Sequence, residues 1–250
     1  MMTTRIALLV AVLGLERCTG CGAAPAPRPP TPASIGEPRG SVIVPSSLRI
    51  VGRAELCVTQ GALAAHPSGR LVSTGPRMRA VLAATTPPIA ELRFTYLGPV
   101  LDAEPLGSGQ MRRQIGLKLL AQDACNVIYV MWRFEPEARL VVSVKRNPGK
   151  RTSRECGNEG YTNVKPRRVT PVPALSPGSS HALRAALEAD TLRVFVDEVL
   201  AWEGLLGAEA LSFEGPVGVR IDNGQFELDL LAAGSTPGSP CGAASPSDPE

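Results

Sequence analysis

The clearest pattern in the chain is an alternation of apolar and polar residues between His181 and Ala232. Apolar positions recur at every second residue in short rows separated by turn residues, which is typical of antiparallel strands with one buried face. The Asn223-Gly224 pair predicts a tight hairpin between the last two strands, because such a turn needs positive φ angles. Five strands are predicted, with apolar rows at Leu183–Leu187, Leu192–Val196, Val199–Trp202, Val217–Ile221 and Phe226–Leu230.

Four further strands are predicted upstream, at Glu91–Leu97, Gln114–Ala121, Asn126–Phe134 and Arg139–Arg146. Sequential strands usually pair, so we expect these four to be neighbours in one sheet. In these four strands, the residues at one set of alternate positions (one parity) are uniformly apolar, whereas those at the other set are mixed and rich in cations. This second parity defines a basic face, which is either a solvated surface or a surface that binds anions. Its candidate ligand-binding residues are Arg93, Lys118, Tyr129, Arg133 and Lys145.

The segment DTLRVFVDEVLAWEG, followed by FEGPVGVRIDNGQFELDLL, resembles the closing strands of concanavalin A-like (laminin G-like) jelly-roll domains. In those domains a strand with a short Val-Asp turn precedes Gly-Pro-x-Gly and a last strand that returns to the first sheet. The resemblance implies an all-β fold, a two-sheet antiparallel β-sandwich of the jelly-roll type, over residues 48–232. Lectins, glycosidases, polysaccharide lyases and adhesion modules share this fold, so it does not define an activity.

The N-terminal segment predicts export. Arg5 precedes the apolar run Ile6–Leu15, which has the length of a signal-peptide core and is too short to span a bilayer. Cys18-Thr19-Gly20-Cys21 resembles a bacterial lipobox, although Cys18 replaces the usual Leu and two charges come just before it. We therefore expect residues 1–21 to be a signal peptide with lipidation at Cys21. The alternative is cleavage near Ala23–Ala26 without a lipid.

Low-complexity segments flank the predicted domain. Residues 22–47 are rich in proline, which favours an extended, semi-rigid linker. Residues 233–250 form a low-complexity C-terminal tail. Together these features predict an exported protein, either a membrane-anchored lipoprotein or a periplasmic or extracellular protein.

Four cysteines remain outside the signal region, and an even number in an exported chain predicts disulfides. Three pairings are possible. We favour Cys125–Cys156, which would pin the basic loop 147–180 to the end of a core strand. We pair Cys57 with Cys241 because the first and last strands of a jelly roll lie side by side. The loop itself is either a lid over the basic face or a strap, and we favour the strap.

Several kinds of site are excluded by residue type and spacing. The net charge of +3 is too small to indicate nucleic-acid binding. His66 and His181 lie far apart without Cys or carboxylate at ligand spacing, so neither a metal nor a cofactor is predicted. Glu227-Leu228-Asp229 begins a laminarinase-like acidic motif, but Ala232 stands where the third carboxylate belongs.

A polysaccharide lyase remains an alternative. Alginate-lyase-like relatives carry Gln-Ile-His, whereas Gln114-Ile115 is followed here by Gly116. Tyr129 or Tyr161 would then serve as the base, with Arg133 and Lys145 holding the acidic sugar.

The sequence thus leads to two functional hypotheses and assigns no catalytic residue. The first is a non-catalytic, envelope-anchored binding module for an acidic polysaccharide or an envelope protein. The second is a carbohydrate-active enzyme on the same fold, either a polysaccharide lyase or a glycoside hydrolase of oxidised disaccharides.

Overall fold

The computed structural model describes residues 48–234, which form two antiparallel β-sheets packed face to face. A 3₁₀ turn at Arg53–Glu55 and two short helices, α1 (Ser153–Cys156) and α2 (Ala208–Leu211), interrupt the strands. The strands in this range are β1 (Arg49–Ile50), β2 (Leu56–Gln60), β3 (Ala64–Ala65), β4 (Leu71–Ser73), β5 (Arg77–Leu82), β6 (Ile89–Pro99), β7 (Arg113–Leu119), β8 (Val127–Glu135), β9 (Arg139–Lys145), β10 (Tyr161–Asn163), β11 (Arg168–Val169), β12 (Ser180–Glu188), β13 (Thr191–Val196), β14 (Val199–Leu205), β15 (Gly218–Asp222) and β16 (Gly224–Ala232).

Within the described residues, the first sheet has nine strands in the order β11-β14-β13-β12-β6-β16-β4-β3, with β1 paired to β16. The second sheet has seven, in the order β10-β9-β8-β7-β15-β5-β2. All pairings are antiparallel, and β1 lies beside β16 as the jelly-roll resemblance implies for the first and last strands. The predicted two-sheet sandwich is therefore confirmed.

The core lies between the two sheets. It contains the apolar residues at alternate positions of each predicted strand. Phe94 on β6 and Trp132 on β8 meet across the sandwich edge to face, with ring centroids 5.6 Å apart. Tyr96 and Phe134 form a second contact between the sheets at 4.9 Å. These rings are buried among aliphatic side chains from both sheets, as period-two alternation requires when one face of each sheet is apolar.

The expectation that β6 is a neighbour of β7, β8 and β9 is wrong. Strands β7, β8 and β9 are consecutive neighbours in the second sheet, but β6 belongs to the first sheet, between β12 and β16. Residues 100–112 carry the chain from one sheet to the other. Arg93 therefore lies on the opposite side of the molecule from the other candidate residues and is not part of their face.

The expected hairpin at Asn223-Gly224 is also wrong, although the positive φ is present. Asn223 has a φ of 58°, but β15 pairs with β5 and β7 while β16 pairs with β4 and β6. Since β15 is already flanked on both sides, β16 has no free edge there and crosses to the first sheet. The side chain of Asn223 accepts a bond from the backbone N–H of Glu104 (2.9 Å) and donates to the carbonyls of Glu104 (2.7 Å) and Arg112 (3.0 Å).

The loop 147–180 is a strap between the sheets. Its β10 pairs with β9 at the edge of the second sheet, and its β11 pairs with β14 at the edge of the first. The predicted Cys125–Cys156 disulfide is present and fixes α1 to the segment before β8. Cys57 is also in a disulfide, but the predicted pairing with Cys241 lies outside the described residues and stays a prediction, as does lipidation of Cys21. Between residues 48 and 234 there is no helix with the length and hydropathy of a membrane span.

Candidate functional site

The outer side of the second sheet carries a polar cleft of about 230 Å³, here called the arginine cleft. Its floor comes from β7, β8, β9 and β15, and its walls come from the crossover 100–112 and the strap. The residues that line it are Leu106, Gly107, Ser108, Arg112, Gln114, Tyr129, Met131, Arg133, Ser143, Asn158, Tyr161, Asn163 and Arg220.

The floor includes two cross-strand rows whose side chains point away from the core, beside the Tyr129–Ser143 pair of β8 and β9. One row places Arg133 opposite Gln114 and Gln114 opposite Asp222. The other places Met131 opposite Gly116 and Gly116 opposite Arg220. Because residues directly opposite have Cβ atoms about 5 Å apart, each row brings its side chains into contact range.

Gly116 is a position where the floor admits no side chain. A Cβ there would lie 2.1 Å from the carbonyl oxygen of Val130 and 2.8 Å from Met131 Sδ. The histidine that the lyase motif would require at this position therefore does not fit without a shift of the backbone of β8.

The walls are held by contacts outside the cleft. Asn223 ties the crossover 100–112 to the end of β15 through both Glu104 and Arg112. On the strap, Lys145 donates to the carbonyl of Gly157 (2.9 Å) and lies 5.3 Å from the ring centroid of Tyr161. These contacts place Arg112 and Tyr161 at the rim of the arginine cleft.

Asp222 stands at the β15 end of the first floor row and is completely buried. Arg79 donates to one carboxylate oxygen (2.5 Å), while Arg220 Nε (3.0 Å) and Gln114 Nε2 (2.5 Å) donate to the other. Burial by itself would raise the pKa of this carboxyl, but the charges of Arg220 and Arg79 and the bond from Gln114 outweigh it. The pKa of Asp222 is therefore held well below its ordinary value, so the group is ionised and fixes Arg220 and Gln114 in place.

The aromatic rings order the cations of the cleft. The rings of Tyr129 and Tyr161 stack with centroids 5.9 Å apart. The guanidinium of Arg220 lies 4.8 Å from the Tyr129 ring, and its NH1 is 3.4 Å from the Tyr161 hydroxyl. Arg220 is thus held by a carboxylate on one side and by aromatic rings on the other.

Positive charge is concentrated at this site. Burial lowers the pKa of Arg133 to about 10, and the nearby charges of Arg112, Arg139 and Arg220 add to the effect, while Asp222 opposes it. The pKa of Arg112 is also lowered, first by burial and then by Arg139 and Arg220. None of the described residues that line the cleft carries a carboxylate. An anion in the cleft would relieve this repulsion.

The structure brings together only part of the predicted basic face. Tyr129 and Arg133 line the arginine cleft, whereas Lys118 and Lys145 are buried on the same sheet and do not line it. Arg93 lies on the first sheet and donates to Glu91 at 2.6 Å. Two cations that line the cleft were not among the candidates. The position of Arg220 on an outer face is predictable from the sequence, because it alternates with the apolar Val219 and Ile221. Arg112 lies in a loop without such periodicity.

Comparison with known proteins identifies the architecture. No protein-family model and no curated protein matches the chain. Among solved structures, carbohydrate-binding module CBM66 from Bacillus subtilis is similar with a TM-score of 0.50 and 11% identity, over 72% of this chain and 96% of that chain. The chain has the concanavalin A-like jelly-roll fold. The carbohydrate recognition domain of Emp47p gives a TM-score of 0.48 at 11% identity, over 77% of this chain and 99% of that chain. At 11% identity the likeness to CBM66 shows the fold alone.

Proposed function

We propose that this protein is a non-catalytic binding module for an acidic glycan, with the arginine cleft as its binding site. The observation that carries the proposal is the convergence of Arg112, Arg133 and Arg220 on a cleft whose described lining contains no carboxylate. Guanidinium groups bind carboxylate and sulfate oxygens through charge-assisted hydrogen bonds. The partly exposed ring of Tyr161 and the amide side chains of the cleft provide a surface and polar groups for a sugar ring.

Two further observations support a glycan that is met outside the cytoplasm. One solved structure with a comparable fold is named as a carbohydrate-binding module. The Cys125–Cys156 disulfide and the predicted signal peptide both indicate an oxidising, exported environment. The net charge of +3 gives no support to a nucleic-acid partner.

The described lining of the cleft contains no pair of acids, which argues against glycoside hydrolysis at this site. Hydrolysis of this kind ordinarily needs two carboxylates on either side of the scissile bond. Asp222, the acidic residue of the floor rows, is fully buried and engaged by Arg79, Arg220 and Gln114. It is therefore a structural anion and not an acid or base exposed to ligand.

The test is binding of polygalacturonate and of a neutral glucan to the protein at two salt concentrations. Replacement of Arg112 or Arg133 by Gln should weaken polygalacturonate binding roughly tenfold, since a hydrogen bond to a charged group contributes about 1.5–3 kcal/mol. Arg93→Gln is the matched control, because Arg93 is an exposed arginine on the opposite sheet with Glu91 as its partner. Its binding should equal that of the wild type.

Binding should also fade as salt rises, since screening acts over about 8 Å at physiological ionic strength. Equal binding by the wild type and both cleft variants would overturn the proposal, and so would salt-insensitive binding to the neutral glucan. Arginine-dependent capture of an acidic protein with no glycan binding would favour an envelope protein as the partner instead.

A polysaccharide lyase is the second candidate, because Tyr129 and Tyr161 line the same cleft as the arginines. Release of unsaturated oligosaccharides from polygalacturonate or alginate, measured by ultraviolet absorbance, would favour the lyase. Tyr161→Phe should then abolish that release, since Tyr161 is the more exposed of the two rings.

A further inference from the structure

Gln114 has an unusual place in the arginine cleft. The residue is only 3% exposed and lines the cleft from β7. Its amide nitrogen donates to Asp222 at 2.5 Å, but its Oε1 accepts no hydrogen bond from any residue between 48 and 234. A buried polar atom without a partner costs free energy, so native proteins rarely keep one without a reason.

The orientation of the Gln114 amide is fixed by its surroundings. Asp222 is an ionised carboxylate that accepts hydrogen bonds and cannot donate them. The amide nitrogen must therefore face Asp222, which turns Oε1 away from that carboxylate on a residue that lines the cleft. An amide oxygen is an acceptor only, so a bare anion offers nothing that it can bind.

Arg133 stands next to this acceptor. The two residues are directly opposite in the β7–β8 register, which places their Cβ atoms about 5 Å apart. Arg133 Nε is likewise buried without a hydrogen-bond partner among the described residues. The floor thus presents one acceptor and one charged donor side by side. A molecule with a hydroxyl group close to a carboxylate would satisfy both at once.

We infer that Gln114 is a specificity-determining residue that selects anions carrying a hydroxyl group beside the charge, such as acidic sugars, over anions that lack one. This inference rests on the proposed function and adds the chemical class of its ligand. Arg112, Arg133 and Arg220 attract the negative charge, and Gln114 Oε1 accepts a hydrogen bond from the hydroxyl group. Without such a hydroxyl, the ligand leaves Oε1 buried and unsatisfied.

The experiment compares glucuronate with cyclohexanecarboxylate, which share a six-membered ring and one carboxylate. Glucuronate adds hydroxyl groups and a ring oxygen, and of these only the hydroxyl groups can donate a hydrogen bond to Oε1. Binding to the full domain is measured from NMR chemical-shift changes of the ¹⁵N-labelled protein. The wild type should bind glucuronate about tenfold more tightly, as one satisfied buried hydrogen bond predicts. Gln114→Met and Gln114→Lys both remove the acceptor, and Lys keeps a donor for Asp222 if the Met variant does not fold.

The expected result is a ratio of the two affinities near one in these variants, with cyclohexanecarboxylate bound no more weakly than by the wild type. Arg93→Gln, on the other sheet, should keep the wild-type ratio. Equal binding of both anions by the wild type would overturn the inference, as would a preference retained in the Gln114 variants. Absence of glucuronate binding would also overturn it, and arginine-dependent binding of polygalacturonate would then decide separately whether the proposed function holds.

Discussion

At the scale of single residues, Asp222 connects the stability of the second sheet with the order of the arginine cleft. Its carboxylate joins three strands, since Arg79 comes from β5, Gln114 from β7 and Arg220 from β15 itself. Burying a charge is costly, and the cost is offset only when several well-placed donors surround it. The geometry of the cleft floor therefore depends on this one group.

Asp222→Asn should destabilise the protein strongly, because it removes the negative charge that faces two arginines in a buried setting. Breaking a buried pair of this kind costs about 3–5 kcal/mol of unfolding free energy, which urea denaturation measures. The matched control is Glu137→Gln, since the Glu137–Arg139 pair is exposed at both ends and should change stability by less than about 1 kcal/mol. Similar effects of the two substitutions would contradict the assigned role of Asp222.

The low pKa of Asp222 also sets the sign of the pH dependence. A carboxyl whose pKa is lower in the folded than in the unfolded state stabilises the fold above the unfolded value, about 4. The contribution is lost as pH falls from there toward the folded pKa. The difference in unfolding free energy between the wild type and Asp222→Asn should accordingly shrink below about pH 4.

The alternation of residues along a strand (its parity) predicts which side chains lie on an outer face. It does not predict which of them are accessible to a ligand. Tyr129 and Arg133 were found by parity and line the arginine cleft. Lys145 lies on the same face, yet the strap covers it, and the carbonyl of Gly157 accepts a hydrogen bond from its Nζ. Arg112 could not be found in this way, because its position depends on a hydrogen bond from the distant Asn223.

At the scale of elements, the strands were largely predicted from the sequence while their partners were not. Alternation of apolar and polar residues indicates that one face of a strand is buried, and this local property is the same in either sheet of a sandwich. It therefore located β6 but gave no reason to place β6 and β7 in different sheets. The same limit applies to Asn223, where the positive φ predicted a turn without its direction.

The strap is the element through which the disulfide acts on the site. Replacing Cys125 and Cys156 together by Ser should lower the unfolding free energy by about 3–4 kcal/mol in the chain-entropy model, given a sequence separation of 31 residues. Denaturation in urea without reductant measures this loss. Since the strap also supplies Tyr161, Asn158 and Asn163, anion binding at the cleft should weaken in the same variant.

Cys57→Ser is the control for this prediction, because β2 lies at the opposite edge of the second sheet from β10. We expect it to lower stability through loss of its own disulfide while leaving anion affinity unchanged. Unaltered stability of the Cys125/Cys156 double variant would show that other contacts hold the strap.

At the scale of the whole molecule, the outer face of the first sheet and the arginine cleft differ in how their cations are balanced. On the first sheet, Arg70 contacts Glu227 and Asp229, and Arg193 contacts Glu188 and Glu203. The cleft on the second sheet has no acidic residue in its described lining. A net charge of +3 does not reveal this difference, because composition averages over faces that only the fold separates.

A single cleft of this size predicts modest affinity, so attachment to a membrane would matter for function. Holding many copies on one surface raises the avidity for a polymer by about 10²-fold or more without any new contact. The sequence predicts such attachment through a lipid on Cys21, which lies outside the described residues.

In cells fed a palmitate analogue, we expect the wild type and Cys18→Ala to be labelled and Cys21→Ala to be unlabelled. Vesicles carrying the lipidated protein should retain polygalacturonate more tightly than the soluble Cys21→Ala form does. Recovery of unlabelled wild-type protein that begins near Ala24 would contradict the anchor and leave export intact.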